Sequence, residues 1–503
     1  MNRVSRRWLL RAGLLLLAGF AAFVARPLFR LGTVAWHDRD TRTPPADGGW
    51  DDASRMNETP LAEIVAVSDE VTARAALARA RERGLGVAIA GARQSMGGQA
   101  LLRDGMALDT AALSEMSHDD DQGILRVGAG ARWAEVLAFL DRRGRSPALM
   151  QPYNDFSVGG SLAANCHGPM AGRPPIAASV VGLSVMLADG KVVRCDRQTE
   201  GELFSLVLGG YGLLGLILEA DLRTVPNRLL DPTSELLSPA DLAEALADEA
   251  GDDGVELRLA RISVAPDSFL TEGLLTSYRA VDGTPPPLGA ETWPSLRRWV
   301  FRAGTGDDYG RYLRWQLEGR VAPLLSLGGI SRNQVLNVSA TVVEDRHGPT
   351  TDILHGYFVP ADQLALFLQR TELIVRDVGV ALLDLELHAV AADDDSYLRY
   401  ADRSLLALTM RFRQRRLPGE EYRMREATRG LIDAARDLGG RYQLPYRLHA
   451  SRRQFNMAYP QGRRFFKRKR HYDPDGLFRN TFLHAYSADW SDRQTRREGG
   501  RRG

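Results

Sequence analysis

Two glycine-rich stretches constrain this chain more than any other feature: Gly91 to Ala100, GARQSMGGQA, and Gln151 to Gly168, QPYNDFSVGGSLAANCHG. Both lie between apolar runs, and glycine lets backbone amides approach an anionic group closely because no Cβ stands in the way. Together they are expected to cradle one dinucleotide cofactor. The surrounding pattern agrees with that use. A helical periodicity over Ser68 to Arg83, with Ser68 as cap and Gly84 as stop, precedes a short apolar strand, Val87 to Ala90, that runs into the first loop. Gly128-Ala129-Gly130 turns into an amphipathic helix over Trp133 to Arg143. Asp189-Gly190, between Val180–Leu187 and Lys191–Cys195, is a hairpin signal. A strand over Leu216 to Val225 is stopped by Pro226.

At 503 residues the chain is too long for one core, so two or three domains are expected. Beyond Asn227 helical patterns (239–249, 361–378, 420–438) alternate with strands (257–264, 381–390). Net charge is +2, from 65 basic and 63 acidic residues, which excludes a nucleic-acid footprint for the protein as a whole. Cys166 and Cys195 are too few for a disulfide framework or a Cys-rich metal site, and no metal is expected; a single bridge between them stays open. The N-terminus is distinctive: Ser5-Arg6-Arg7-Trp8-Leu9-Leu10-Arg11 precedes an apolar segment, Ala12 to Ala25, the layout of an export signal with a twin-arginine-like pattern. A cleaved signal and an uncleaved anchor both remain open. The basic run Arg463 to Arg470 is the densest charge in the chain; a solvated helix face and a contact with anionic lipid are its two readings.

Gly210-x-Gly212-x-x-Gly215 satisfies a dinucleotide fingerprint, but that fingerprint requires a strand before it and a helix after it. Here a helix is expected before and a strand after, so a Rossmann site is not. The ordered set Gly91-x-Arg93-x-Ser95-x-x-Gly98-Gln99, Ser157-Val158-Gly159-Gly160-Ser161, His167-Gly168, Gly182-Leu183 with Ala188-Asp189-Gly190, and Leu203-Phe204 with Gly209 to Gly215 resembles the FAD-binding domain of the vanillyl-alcohol oxidase and p-cresol methylhydroxylase (PCMH-type) superfamily. The resemblance covers Asp51 to about Asn227 and resumes at Tyr472 to Asn480. It implies an α+β fold: a two-subdomain FAD-binding domain plus a substrate domain whose antiparallel sheet is flanked by helices. The implied layout is 1–37 signal or membrane anchor, 38–50 linker, 51–227 FAD-binding domain, 228–470 substrate domain, 471–488 a segment returning to the FAD domain, and 489–503 a disordered tail.

The resemblance implies FAD contacts from Gly91, Ala92, Arg93, Gln94, Ser95, Gly98 and Gln99 in the first loop. From the second it implies Pro152, Ser157, Gly159, Gly160, Ser161, Asn165, His167 and Gly168, and later in the chain Gly212, Gly215, Ile217 and Asn480. Covalent members of the superfamily carry His at the position of Gln94; an amide cannot attack the flavin methyl, so FAD is expected to be noncovalent. Within the superfamily the chain looks closest to the aldonolactone and alditol oxidase branch. Glu386-Leu387-His388 resembles that branch's E-x-R strand, with His388 in place of Arg, and Pro445-Tyr446-Arg447-Leu448-His449 resembles its W-G-K-x-H, with Arg447 in place of Lys. Glu386, His388, Arg447 and His449 are therefore the expected catalytic residues. Strand alternation puts Asp384, Glu386 and His388 on one face.

The implied activity is oxidation of a hydroxyl on a sugar-like, polyol or lactone substrate by hydride transfer to flavin N5, with reoxidation by oxygen or a membrane electron carrier. The rivals are a lipid-linked sugar or sterol-like substrate, and flavin binding without turnover. The expected partners are a small hydroxylated molecule, a membrane electron acceptor and a membrane surface, with no nucleic acid. The expected location is periplasmic or anchored to the inner membrane.

Overall fold

The computed structural model describes residues 25–46, 48–247, 254–325 and 328–487. The part of the expected signal or anchor before residue 25 and the expected disordered tail, 489–503, lie outside the described residues. Cys166 and Cys195 are both free.

The first domain is α+β with two sheets. The cap of its first helix, Glu70–Glu82, is Asp69 rather than Ser68: the Asp69 carboxylate accepts the Thr72 N–H at 2.7 Å and Thr72 Oγ1 accepts the Asp69 N–H at 3.1 Å. The buried face of the helix, Ala73, Ala76, Leu77 and Ala80, covers a three-stranded parallel sheet in which Met106–Asp109 lies between Glu63–Ala66 and Val87–Ala90. A second, antiparallel sheet runs in the order Val192–Cys195, Val180–Met186, Leu216–Pro226, Ile124–Gly128, Met116–Asp119. The expected hairpin is there, with Gly190 at φ 84° in its turn. Gly210 to Gly215 lies between a helix, Gly201–Val207, and the strand from Leu216, the reverse of the dinucleotide arrangement.

The late segment returns to this domain. Val87 donates to Leu477 O and Arg479 donates to Val87 O, each at 2.8 Å. The buried Asp473 carboxylate accepts the Leu477 and Phe478 N–H groups and pairs with buried Lys469, which fixes the turn that makes this return.

The second domain is built on an eight-stranded sheet in the order Ile330–Ser331, Leu229–Leu237, Gly273–Val281, Val255–Ile262, Ala381–Val390, Leu405–Arg415, Thr350–Val359, Arg441–Tyr442. Helices Leu364–Val378 and Pro418–Asp437 pack together beside it, and Leu383, Leu385 and Leu387 on Ala381–Val390 are buried. Alternation sends Asp384, Glu386 and His388 of that strand toward the first domain. Beside this face stand the helices Pro294–Ala303 and Asp308–Gln316. Residues 38–46, expected as a linker, are laid against this domain: Arg298 clamps Asp38 with two 2.7 Å hydrogen bonds, and Thr41 donates to Arg346 O at 3.0 Å.

The second glycine stretch is not a turn throughout. It contains a short helix, Val158–Ala164, closed by Asn165 in the left-handed region at φ 48°. Gly159 and Gly160 lower its helical propensity, which hides it in the sequence. Ser157, just before this helix, joins the two loops: its Oγ accepts the Ala92 N–H at 3.1 Å. A Cβ on Gly91 would collide with that oxygen. Gly91→Ala is therefore expected to destabilise the fold by about 2 kcal/mol through overpacking, read as a lower denaturant midpoint; an unchanged midpoint would show that the loops are not locked through this contact.

Candidate functional site

Between the two domains lies a cavity with an open mouth. The first-domain wall is made by Gly91, Ala92, Arg93, Gln94, Ser95 and Gln99 from one loop, and by Pro152, Ser157, Gly159, Gly160 and His167 from the other. Gly212, Gly215 and Ile217 complete it. These fourteen were all expected as cofactor contacts.

Five expected contacts stand behind the wall and hold it. Asn480 Nδ2 donates to Gln99 O at 2.9 Å and to Tyr211 O at 2.8 Å, tying the first loop to the Gly212 turn. Ser161 Oγ accepts from Trp133 Nε1 at 3.0 Å, and Asn165 Nδ2 donates to Asp393 at 2.8 Å. Gly98, at φ 70°, accepts from Thr481, and Gly168 sits where a Cβ would strike Met150 O.

The opposite wall is the polar face of the large sheet. Register places Arg261 directly across from Glu386, and Glu386 across from Thr409. Arg411 lies across from Asp384, and His388 across from Ala407. Tyr153, inside the second glycine stretch, donates its hydroxyl to Glu386 Oε1 at 3.1 Å. Arg261 approaches the same oxygen at 3.6 Å. Arg314, reaching in from Asp308–Gln316, donates to Asp384 Oδ1 at 2.6 Å and to Leu383 O at 2.8 Å.

These neighbours separate the two carboxylates. Burial opposes the charge of Asp384, but Arg261, Arg314 and Arg411 hold its carboxyl below the usual range. Burial, followed by the negative charge of Asp384, pushes the Glu386 carboxyl above its usual value, only partly offset by Arg261, Arg411 and the Tyr153 hydroxyl. Two carboxyl groups with opposite shifts side by side give one fixed anion and one group that holds its proton more tightly than an ordinary carboxyl. Burial, helped by His167, pushes His388 down to about 3, so its imidazole is neutral. The thiol of Cys166 is pushed up to about 12 by burial, which removes it as a thiolate nucleophile.

Arg447 and His449 do not reach the cavity. Arg447 donates to Asn57 Oδ1 at 2.8 Å and pairs with Glu421, while His449 Nε2 lies 2.8 Å from Glu421 and its Nδ1 3.0 Å from Thr428 Oγ1. Pro445 and Tyr446 of the same loop do line it, and Arg447 is turned toward the helix that carries Glu421. The cation near Glu386 comes instead from Arg261 and Arg411. Neither could be read from the sequence, because each is placed by register between strands. Tyr153 was within the singled-out stretch but carried no signal separating it from a packing aromatic.

The cavity also fits a polar cofactor. Both ring nitrogens of His388, His167 Nδ1, Gln151 Oε1 and Gln443 Oε1 are buried, line it and have no hydrogen-bond partner among the described residues. Such groups are costly to bury unless a ligand completes them.

Residues 61–196 match the family described as "FAD binding domain". The chain is 36% identical over 162 residues to cytokinin dehydrogenase 8 of Oryza sativa subsp. indica, covering 29% of each protein. It is 32% identical over 135 residues to cytokinin dehydrogenase 2 of Arabidopsis thaliana, covering 27% of each. With D-arabinono-1,4-lactone oxidase of Yarrowia lipolytica (strain CLIB 122 / E 150) it shares 30% identity over 112 residues, 22% of this chain and 21% of that protein. The chain thus matches less than a third of the length of these curated relatives. With the two glycine loops forming one wall of a cavity lined by buried polar groups, the chain carries an FAD-binding domain of the PCMH-type superfamily, and its cofactor is FAD.

Proposed function

We propose that the protein is an oxidoreductase that oxidises a hydroxyl-bearing carbon of a sugar-like, polyol or lactone substrate. The observation that carries this reading is Glu386, half-buried at the cavity wall between Arg261 and Thr409, with Tyr153 donating to it. Bound FAD supplies the two-electron acceptor for the hydride, and oxygen or a membrane electron carrier would reoxidise it. The chain's own residues do the rest. The Gly91 and Ser157 loops hold the cofactor through backbone amides. Glu386, poised by burial and by Asp384, takes the hydroxyl proton. Neutral His388 offers a ring nitrogen to a second substrate hydroxyl. Arg411, fixed across from Asp384, supplies positive charge where negative charge develops.

A second reading is oxidation of a cytokinin, as the name of the cytokinin dehydrogenases above suggests. It is favoured by the greater share of the chain that those relatives cover, and by apolar residues such as Phe156, Leu354 and Ile217 on the cavity wall. Anaerobic bleaching of the flavin against polyols, aldonolactones and cytokinins separates the two. Bleaching by none of them would favour flavin binding without turnover.

Glu386→Gln is expected to slow anaerobic flavin reduction on the order of 10²–10⁴-fold with the FAD spectrum retained; an unchanged rate removes this residue from the chemistry. Because the base must be ionised, the wild-type reduction rate should rise with pH through the raised value of Glu386. Tyr153→Phe takes away a hydrogen bond that favours the charged form, so the rise should move to higher pH. No movement, or movement to lower pH, would place the titration elsewhere. Since Gln94 and the un-ionised Cys166 offer no nucleophile, acid precipitation should leave FAD in the supernatant, and flavin remaining in the pellet would overturn noncovalent binding.

A further inference from the structure

A helix over 25–37 lies against the second domain with its apolar stripe facing outward. Ala25, Leu28, Phe29, Gly32 and Trp36 recur at helical spacing and are exposed, Phe29 at 75% and Trp36 at 70%. A surface helix ordinarily turns such a stripe inward. The inner side of this one is pinned by polar contacts. Arg30 donates to Ala303 O at 2.9 Å and stands 3.5 Å from Asp307, the Arg26 guanidinium lies 3.6 Å from the centre of the Tyr309 ring, and Asp38 just beyond is clamped by Arg298. The stripe therefore cannot turn inward without breaking these contacts.

The helices that receive it are exposed in the same way. Trp293 is exposed at 73% and Leu324 at 79%. Residues 25–37 and 293–324 carry eight of the sixteen large apolar side chains exposed among the described residues, including both exposed tryptophans. Charge is concentrated there as well. Of the ten arginines in residues 25–46 and 294–325, Arg298, Arg302 and Arg314 are buried, and the other seven stand against five carboxylates. Apolar side chains and tryptophan among arginines suit the boundary between anionic headgroups and acyl chains. The chain also leads there: the apolar sequence from Ala12 runs directly into the helix at residue 25. No helix among the described residues is long and apolar enough to cross a membrane.

We propose that this face, the helix over 25–37 together with the helices from Pro294 to Leu325, is seated on an anionic phospholipid bilayer, with Phe29, Trp36, Trp293 and Leu324 inserted at the headgroup level. The basic run Arg463 to Arg470 does not offer a comparable face. On the helix Gly462–Tyr472, Phe465, Phe466 and Lys469 are buried and Arg468 is paired with Glu202, leaving exposed charge without an exposed large apolar side chain.

The test uses the full chain carrying Trp8→Phe, so that the apolar N-terminal segment contributes no tryptophan signal, on vesicles of phosphatidylcholine and phosphatidylglycerol containing brominated acyl chains. Tryptophan fluorescence should be quenched, and the further changes Trp36→Phe and Trp293→Phe should abolish that quenching while FAD absorbance is kept. Leu28→Ser with Leu324→Ser should weaken vesicle binding about tenfold or more, and added salt should weaken it further. Vesicle binding without quenching in the Trp8→Phe protein would mean that the N-terminal segment alone holds the membrane, and overturns the proposal. So does self-association through this face, seen as a concentration-dependent dimer without vesicles that Leu28→Ser and Leu324→Ser dissolve.

Discussion

The hydrogen bond from Ala92 N–H to Ser157 Oγ is the point on which the two halves of the cofactor wall depend. It joins a loop that follows a parallel strand to a loop that opens a short helix, two pieces of chain from different sheets. Gly91 makes room for the oxygen, and Asn480, arriving from the far end of the sequence, binds the same first loop to the Gly212 turn. The wall is thus closed by side chains and backbone separated by hundreds of residues. That explains why the last described segment must return to the first domain, where Asp473 and Lys469 fix the turn that carries it.

The facing wall rests on another constraint, the low solvent access that forces buried charges to be answered by neighbours. Asp384 has Arg314, Arg261 and Arg411 around it and remains an anion. Glu386, two residues on, shares that anion's field and receives only partial compensation. The same strand therefore presents one fixed charge and one exchangeable proton, a division of labour produced by position and not by residue type. His388, a further two residues along, has no counter-ion and stays neutral. Because all three point to one face, the cavity changes from anionic to neutral along a single strand.

Local features were the legible ones. The glycine loops, the Asp-Gly hairpin, the strand over 381–390 and the reversed order around Gly212 are each specified within a few residues, and the structure keeps them. What the sequence hid has three physical causes. Pairing register between distant strands sets Arg261 and Arg411 beside Glu386, and no local pattern encodes it. Side-chain direction within a loop decides whether Tyr446 or Arg447 faces the cavity; Glu421, waiting on a neighbouring helix, takes Arg447 and His449. The helix over 158–164 escaped notice for a third reason, since the glycines that make the cofactor approach possible are poor helix formers.

The helices from Pro294 to Leu325 connect the two surfaces at issue. On Asp308–Gln316, Tyr312 is exposed while Arg314, two residues on, is buried against Asp384. Arg302 of the preceding helix pairs with Asp352 at 2.7 Å, and the Arg411 guanidinium lies 5.8 Å from the Phe301 ring. One layer of helix therefore separates the outward apolar face from the charges that hold Asp384 ionised. Arg314 is the side chain that this layer sends to Asp384, and without it Asp384 would lose one of the three cations that keep it charged. The proton affinity of Glu386 follows the charge of Asp384, so the outer surface and the candidate base are coupled through one arginine.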